Sequence, residues 1–480
     1  HGGSDLYLGT VVDKEKGIFY NRNKGFFKFT IENGIELIAT NEAVYYKYLL
    51  DSPPDISEKP KIIDFGDFWY LDEMLNSSGL KDIILKTIPA ESDTLLALIS
   101  YNLLDNSANV YAERWYYRSY AQYVYPNAHL QTARISEFLK RVGTEEIMRD
   151  FFDLYIPYLK AMSDVSENIL IDSTSLVNNI NFEFSKLVNH NGVIKKQTRL
   201  IYVVERNTSL PVYFRYVAGN IVDVVTLRLT INQLRAQNMN VKHGILDAEY
   251  CSAKNIKYLN ANDIPFIIRM PYNELAKKIV NEHGSDVCDD KYSLLYNDRI
   301  VYIKKVKLMI FSIECYIYIC VDANRMYSEK IKHMQKSALN KQKPVDTVAK
   351  DKFGYFVFIS SESMETSEVM PMYYMRQTIE QTIDILKNNT TILPLGSHSE
   401  EAFRGHLLIA FMATIALITI KNKLKKRNKL KDLPAIESLA NMRGIKASVY
   451  NDQLVTSEPD KHANLIINEL KLDVPSKIYL

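Results

Sequence analysis

Residues 371–387, PMYYMRQTIEQTIDILK, contain the side chains best suited to chemistry. At about 100° per residue, a helix over this stretch places four polar side chains within about 60° of one another. These side chains are Tyr373, Arg376, Glu380 and Lys387. A neighbouring apolar arc predicts one helix that packs on a core and exposes a functional edge. For the stripe alone, a solvated face with an Arg376–Glu380 pair is the simpler explanation.

Two aspartates earlier in the chain make the functional reading of Glu380 the better one. Asp172 interrupts residues 168–176, NILIDSTSL, which have the composition of a buried strand. Asp247 ends a second predicted strand, residues 241–247. A carboxylate among buried apolar side chains is costly unless it is paired or binds a metal ion. We therefore expect both aspartates to belong to a site.

The elements around these aspartates indicate how the chain brings them together. Strands are predicted at residues 168–176, 199–204, 211–217, 241–247 and 265–269, with helices at 224–237 and 253–260. This order predicts an α/β protein with an RNase H-like catalytic core, a mixed five-stranded sheet with flanking helices. In that fold the first and fourth strands pair, so Asp172 and Asp247 are expected side by side. A later helix then supplies Glu380.

The whole chain is predicted to contain six segments. Residues 1–4 have the composition of an expression-tag remnant, and 5–165 form an N-terminal DNA-binding region of β hairpins followed by helices. The core is formed by residues 166–272, its first part, and 351–420, its second part with the catalytic helix. Between these parts lies a β-rich insertion domain, 273–350, and after them a basic C-terminal helical region, 421–480.

Three basic stretches are possible DNA contacts, although each has a simpler explanation. Cations alternate with aromatic residues around Lys24, which also suits an amphipathic hairpin. Residues 131–143 resemble a helix-turn-helix recognition helix with Arg134 and Lys140 exposed, as would any amphipathic helix with two cations. Residues 421–431 carry seven cations, which is also typical of a solvated charge run. Its possible DNA contacts are Lys425, Lys426 and Arg427.

Composition excludes several other classes of protein. The net charge of +2 neither supports nor excludes DNA binding. Four cysteines without a CxxC pair indicate buried thiols in a reducing compartment and no disulfides. The longest apolar run, residues 407–420, is too short to span a bilayer and predicts a core helix. No phosphate-binding GxxxxGK[ST] loop and no HExxH motif is present.

Taken together, these motifs resemble DDE-type transposases of the insertion-sequence four group, which cut and paste DNA through a hairpin. The group's Tyr-x2-Arg-x3-Glu-x6-Lys signature matches Tyr373, Arg376, Glu380 and Lys387. Its two aspartate motifs match residues 171–175, IDSTS, and 245–247, ILD. Two departures are Glu249, where the group usually has glycine, and Gln377, where it usually has tryptophan.

The resemblance implies a metal-dependent enzyme that acts on double-stranded DNA. Asp172, Asp247 and Glu380 would hold two Mg²⁺ ions, or Mn²⁺ in their place, with Asp172 bridging. Tyr373, Arg376 and Lys387 would bind phosphates near the scissile bond. The partners implied are transposon ends, target DNA and a second copy of the chain in a homodimer on DNA. Neither a membrane nor a nucleotide cofactor is expected, and the location implied is the bacterial-type cytoplasm, at the nucleoid.

Two alternatives remain open at the level of sequence. One is an RNase H-like nuclease that cuts DNA without strand transfer. The other is a domesticated or inactive transposase that only binds DNA. The intact Asp172, Asp247 and Glu380 argue against the second alternative, whereas Glu249, which could crowd the metal site, argues for it.

Overall fold

The structure is a computed structural model of the 480-residue chain. It describes residues 8–13, 16–21, 24–39, 43, 46–47, 60–166, 168–178, 182–190, 193–221, 223–339, 353–388, 399–450 and 453–480. The suggested tag remnant, residues 1–4, lies outside the described residues.

The N-terminal region begins with a four-stranded antiparallel meander and continues with helices. Its strands are β1 (Thr10–Asp13), β2 (Ile18–Asn21), β3 (Gly25–Thr30) and β4 (Gly34–Leu37), hydrogen-bonded in that order. After β5 (Lys61–Asp64) come α1 (Gly66–Ser78), α2 (Leu80–Thr87), α3 (Ser92–Leu104), α4 (Ala112–Tyr116), α5 (Ala121–Val124), α6 (Thr132–Val142) and α7 (Glu145–Lys160). Lys24 is exposed in the turn before β3.

The central sheet contains the strands predicted to carry the aspartates. They are β6 (Asn168–Val177), β7 (Lys186–His190), β8 (Val193–Glu205), β9 (Pro211–Ala218), β10 (His243–Leu246) and β11 (Phe266–Met270). Between and after them lie α8 (Asp223–Ala236), α9 (Ala253–Ala261) and α10 (Glu274–His283). Strand β8 is antiparallel to β6 and β9, whereas β10 is parallel to β6 and β11. The first predicted strand therefore pairs with the fourth, as expected.

The strands after β11 extend this sheet, and three of them lie in the predicted β-rich insertion, residues 273–350. They are β12 (Ser293–Tyr296), β13 (Arg299–Ile310), β14 (Ile313–Asp322) and β15 (Tyr355–Ser360), with α11 (Ala323–Leu339) before β15. Strand β15 pairs with β11 on one side and β14 on the other. The sheet thus has ten strands among the described residues, in place of the five predicted.

The C-terminal part combines helices with a second small sheet. Its elements are α12 (Thr366–Tyr374), α13 (Arg376–Asn388), α14 (Glu400–Lys425), α15 (Ala435–Met442), β16 (Lys446–Tyr450), β17 (Gln453–Thr456), α16 (Lys461–Leu470) and β18 (Lys477–Tyr479). Strands β18, β17 and β16 join β5 from the N-terminal region in one antiparallel sheet. Residues 421–480 are therefore not a purely helical tail.

Helix α14 is the central core helix and contains the predicted apolar run 407–420. It is long and apolar enough to cross a bilayer by length and composition, but 89% of its most apolar window is buried inside the protein. Its crossing with α6 requires glycine at two positions. A Cβ atom at Gly405 would lie 2.0 Å from the Leu139 carbonyl oxygen, and one at Gly143 would lie 1.8 Å from that of Glu401. Helix α14 therefore lies in close contact with α6, inside the protein.

Candidate active site

Asp172 lies in the middle of β6 with only 9% of the residue exposed. The Ser173 backbone N–H donates to its Oδ1 atom at 2.8 Å. Burial raises the pKa of Asp172 to about 6, although Arg376 and the Ser173 N–H lower it, and the nearby Asp247 and Glu380 raise it further. A buried carboxylate with so few donors needs a cation close by.

Asp247 follows β10 directly and is held beside Asp172 by strand pairing. Leu246 pairs with Ile171 in the parallel ladder, so the next residue on each strand is an aspartate. The Ala248 backbone N–H donates to Asp247 Oδ1 at 2.6 Å at the start of a short 3₁₀ helix. The carboxyl end of β10 therefore presents Asp247 at the position the sequence predicted.

The signature stretch forms two helices and not the single helix that was predicted. Helix α12 ends at Tyr374, α13 begins at Arg376, and Met375 between them has φ −56° and ψ −18°. The Thr378 N–H donates to the Met375 carbonyl three residues back, which is a 3₁₀ turn. One tight turn leaves the apolar period almost unchanged, so the sequence pattern does not show it.

Helix α13 packs on β6 and β8 through its apolar side. Ile379, Ile383 and Leu386 are buried, and each contributes about 2 kcal/mol of hydrophobic stabilisation. This packing directs the adjoining edge of the helix, which carries Arg376 and Glu380, towards the aspartates. Glu380 has the most exposed side chain of the three acids, at 50%.

The guanidinium of Arg376 lies among all three carboxylates. Its Nη1 contacts Asp247 Oδ1, its Nη2 contacts Glu380 Oε1, and Nη2 lies 3.9 Å from Asp172 Oδ2. The Arg376 side chain is only 16% exposed. In this arrangement the three acids hold Arg376 within the site, and its binding to a DNA phosphate stays a prediction.

Tyr373 and Lys387 support the two ends of this arrangement. The Tyr373 hydroxyl accepts a hydrogen bond of 3.2 Å from Arg376 Nη1, and its ring lies 4.5 Å from that of Phe358. Burial raises the pKa of Tyr373, so its hydroxyl stays protonated. Lys387 donates to the Thr174 hydroxyl in the first aspartate motif, which ties the end of α13 to β6. Burial lowers the pKa of Lys387.

Glu249, which from the sequence could alter the turn or crowd the metal site, forms an ion pair with Arg199. Its Oε2 atom lies 3.2 Å from Arg199 Nη1, and its side chain is 63% exposed. Arg199 also lies 3.5 Å from the Ser173 hydroxyl, next to Asp172. Sequence reasoning missed Arg199 because only the pairing of β6 with β8 brings it near the site.

The other predicted DNA contacts are not brought to the carboxylates. Arg134 pairs with Glu137 at 3.6 Å on the outer side of α6, and Lys140 is exposed on the same helix. Lys426 pairs with Asp164 at 2.5 Å. Among the described residues, no hydrogen bond or ion pair joins the carboxylates to the six residues in question, which are Lys24, Arg134, Lys140, Lys425, Lys426 and Arg427.

The three acids suit a hard divalent cation in chemistry, because all their ligand atoms are carboxylate oxygens. In the structure, however, the three carboxylates are arranged around the guanidinium group of Arg376. In the part of the chain that the structure describes, no group of three His, Cys, Asp or Glu side chains lies close enough together to hold one metal ion. Arg376 thus supplies the positive charge that Asp172, Asp247 and Glu380 share.

Comparison with known proteins identifies the family of the chain. No curated protein sequence matches the chain. Among solved structures it is similar to a piggyBac transposase synaptic complex with hairpin DNA, with 11% identity, a TM-score of 0.35, and coverage of 78% of this chain and 70% of that one. The transposase DDE domain family matches residues 165–416, a range that includes Asp172, Asp247 and Glu380. Since this match spans more than half of the 480 residues, the chain belongs to the transposase DDE domain family.

Proposed function

We propose that this transposase is an active enzyme that cuts the DNA at transposon ends and joins the freed 3′-OH groups to target DNA. The observation that carries the proposal is the convergence of Asp172, Asp247 and Glu380 on one cationic group. Each acid comes from a different element, so only a specific tertiary fold brings them together. A relic without activity has no need to keep such a costly cluster.

An RNase H-like core would explain why these elements meet. The strand order β9-β8-β6-β10-β11, with β8 antiparallel and β10 and β11 parallel to β6, supports that assignment. In such a sheet the first carboxylate lies on the central strand and the second at the end of its parallel neighbour. Helix α13 then covers this edge and adds the third.

Asp172, Asp247 and Glu380 are the residues that would hold divalent metal ions in this proposal. Two Mg²⁺ ions, or Mn²⁺ in their place, would supply activation of the attacking oxygen and stabilisation of the leaving oxygen. Because Arg376 lies between the acids, its guanidinium must withdraw before they can close around another cation. Until then Arg376 offsets the repulsion among three neighbouring carboxylates.

Once withdrawn, Arg376 would have its donors free for a DNA phosphate, which reconciles the observed contacts with the phosphate-binding role inferred from the signature. Tyr373 restricts the movement, since its hydroxyl already accepts from Arg376 Nη1. Lys387 would approach the same strand from the other end of α13, next to Thr174. In this proposal all three residues position phosphates, Arg376 and Lys387 also neutralise their charge, and none forms a covalent bond to DNA.

The proposed reaction is a series of phosphoryl transfers on double-stranded DNA. Water attacks a phosphorus atom at the transposon end, and the 3′-oxygen leaves and takes up a proton. The freed 3′-OH then attacks a phosphorus atom of the opposite strand and displaces the 3′-oxygen of the flanking DNA, which forms a hairpin. Water attacks the same phosphorus atom and displaces the transposon 3′-oxygen, which opens the hairpin. That 3′-OH finally attacks a phosphorus atom of target DNA and displaces a 3′-oxygen there, which takes up the proton. Two ends must be cut and joined together, so the active assembly in this proposal is a homodimer on DNA.

The test uses a plasmid that carries this gene between its native flanking DNA, incubated with purified protein and Mg²⁺, Mn²⁺ or EDTA. Denaturing and native gels would report nicks, hairpin ends and joined products. We expect metal-dependent excision with hairpin ends in the wild type and bound but uncut DNA with Glu380→Gln. Cutting without joining would identify a nuclease, and binding at the ends without any cutting would identify a DNA-binding relic. Cleavage by Glu380→Gln would refute the assigned site.

A further inference from the structure

The basic segment 421–431 divides into two sets of lysines according to their partners. One set is engaged within the protein. Lys423 donates to the Ser77 hydroxyl at 2.6 Å, Lys426 pairs with Asp164 at 2.5 Å, and Lys429 pairs with Glu469 at 2.8 Å. These three lysines are bound to other parts of the fold, and the charges of Lys426 and Lys429 are paired with acids.

The second set consists of Lys421, Lys425 and Lys431. Within the described residues, their ammonium groups have no hydrogen-bond or ion-pair partner. All three line one cavity of about 460 Å³, which lies within the usual size range of ligand sites. The division within one short segment argues that the second set is not simply a solvated charge run.

The cavity lies against the helix that carries Glu380. Helix α13 contributes Gln381, Asp384 and Ile385 to its wall, one, four and five residues after the catalytic acid. The facing wall is formed by α14, which carries Lys421 and Lys425, and by the segment that leads into α15. A ligand in this cavity would therefore lie alongside the active site, on the next face of the same helix.

The charges in the cavity favour an anion. Three lysines face two acids, Asp384 and Asp432, which leaves the lining with one excess positive charge. Half-burial lowers the pKa of Lys421, and the neighbouring Lys425 lowers it further. An ammonium group that is half-buried beside a second cation is stabilised by an anionic partner. Apolar side chains, among them Leu417 and Leu433, form the rest of the lining and suit sugar or base surfaces.

We propose that Lys421, Lys425 and Lys431 form a second DNA contact, which binds the phosphodiester backbone of a strand passing along α13. The proposal rests on the proposed function and assigns it an additional binding site. Lys425 and Lys426 were both possible DNA contacts in the sequence, but Lys426 is paired with Asp164 and lies outside this cavity. The strand could belong to the transposon end or to target DNA, since both offer the same phosphates.

The test compares two triple alanine variants that remove the same number of charges from the same segment. One replaces Lys421, Lys425 and Lys431, and the control replaces Lys423, Lys426 and Lys429. Affinity for an end duplex and for an unrelated duplex is measured by fluorescence anisotropy between about 50 and 200 mM salt. We expect the first variant to bind roughly 100-fold more weakly at about 0.1 M salt, with a slope of log K against log salt smaller by about 2 to 3. The control should keep the wild-type slope.

Further variants keep the proposal open to refutation. A triple arginine variant of Lys421, Lys425 and Lys431 should have the wild-type slope of log K against log salt. If the triple alanine variant folds poorly, Lys425→Glu alone replaces it and should make that slope smaller by about 1. Loss confined to the end duplex would place the transposon end here, and loss confined to the unrelated duplex would place target DNA. If the two triple variants have equal slopes while the wild-type protein cleaves DNA, the lysine site would be overturned and the proposed function would stand. Wild-type protein that binds neither duplex would overturn the proposed function as well.

Discussion

Two buried acids on neighbouring strands have opposite surroundings. Glu205 on β8 pairs in register with Ile169 on β6, three residues before Asp172. Glu205 is fully buried, and its Oε1 accepts from the backbone N–H and hydroxyl of Ser166 at 3.1 and 2.6 Å. Its Oε2 accepts from Asn207 N–H at 3.0 Å and from the N–H and hydroxyl of Thr208 at 2.8 and 2.7 Å.

Asp172, by contrast, receives one backbone donor and shares the guanidinium of Arg376 with two other acids. The donors around Glu205 belong to the turns next to it and cannot leave without unfolding. The cation near Asp172 sits on a long side chain from a separate helix and is exchangeable. The comparison teaches that a structural acid accepts its hydrogen bonds from neighbouring turns. An acid that binds an exchangeable cation instead keeps carboxylate lone pairs without hydrogen-bond donors.

The largest expected effect is the loss of DNA cleavage when Asp172, but not Glu205, is the acid that binds the metal ion. Asp172→Asn should reduce DNA cleavage by about 1,000-fold or more, because a neutral amide is a poor ligand for a divalent cation. DNA affinity should stay within about threefold of wild type, since the phosphate contacts remain. Cleavage on gels and anisotropy would measure the two quantities. Cleavage at near wild-type rate would remove Asp172 from the site.

The reverse effect is expected at Glu205. Glu205→Ala should lower the free energy of unfolding by about 4 kcal/mol, because it leaves five donors without their acceptor. Urea unfolding followed by fluorescence would measure the loss. Glu249→Ala is the matched control, since the Glu249 side chain is 63% exposed and its loss should change stability by less than about 1 kcal/mol. Equal losses in the two variants would contradict the comparison.

The pH dependence of stability should also reflect Asp172. Its pKa is raised from 3.8 to about 6 in the folded protein, so the folded state binds the proton more tightly than the unfolded state. Asp172 therefore contributes stability that is complete below about pH 4 and is lost as the pH rises through about 6. At 1.36 kcal/mol per unit, the loss is about 3 kcal/mol.

Unfolding of wild-type and Asp172→Asn protein in EDTA, from about pH 4 to 7, would test this expectation. The stability difference between them should move in favour of the variant as the pH rises. A constant difference over that range would show that burial does not raise the pKa of Asp172.

The smallest expected effect concerns the exchangeable cation. Arg376→Ala should destabilise the metal-free protein by about 2 kcal/mol, because three carboxylates then repel one another. Mn²⁺ should restore this stability, so the rise in Tm on adding Mn²⁺ should be larger in Arg376→Ala than in the wild type. An equal rise would mean that Arg376 does not compete with metal ions. Arg134→Ala, on an exposed pair, serves as the control.

Much of the site was predictable because strand and helix patterns place a few residues reliably. The alternation of strands and helices between Asp172 and Asp247 predicted that their strands pair, and the register of Leu246 with Ile171 confirms it. The stripe of Arg376 and Glu380 predicted a helix edge at the site, although a 3₁₀ turn at Met375 divides that helix.

Other features were not predictable because they depend on contacts between distant segments. Strand β15 has the same pattern whether it ends a sheet or joins two parts of one, so the extension of the central sheet was missed. The small sheet that joins β5 to β16 unites residues near opposite ends of the chain. The division of the lysines in 421–431 likewise depends on acids from elsewhere, such as Asp164 and Glu469.

The sequence by itself determined which residues could form the site, because strand and helix periods fix the side of an element on which each residue lies. It thus identified Asp172, Asp247 and Glu380 as acids that must meet. Only the tertiary structure decided what compensates each buried charge. Ion pairs and hydrogen bonds depend on distances of a few ångströms between elements far apart in sequence, and those distances exist only after the elements have packed. The structure therefore put Arg376 among the acids and gave Glu205 its five donors.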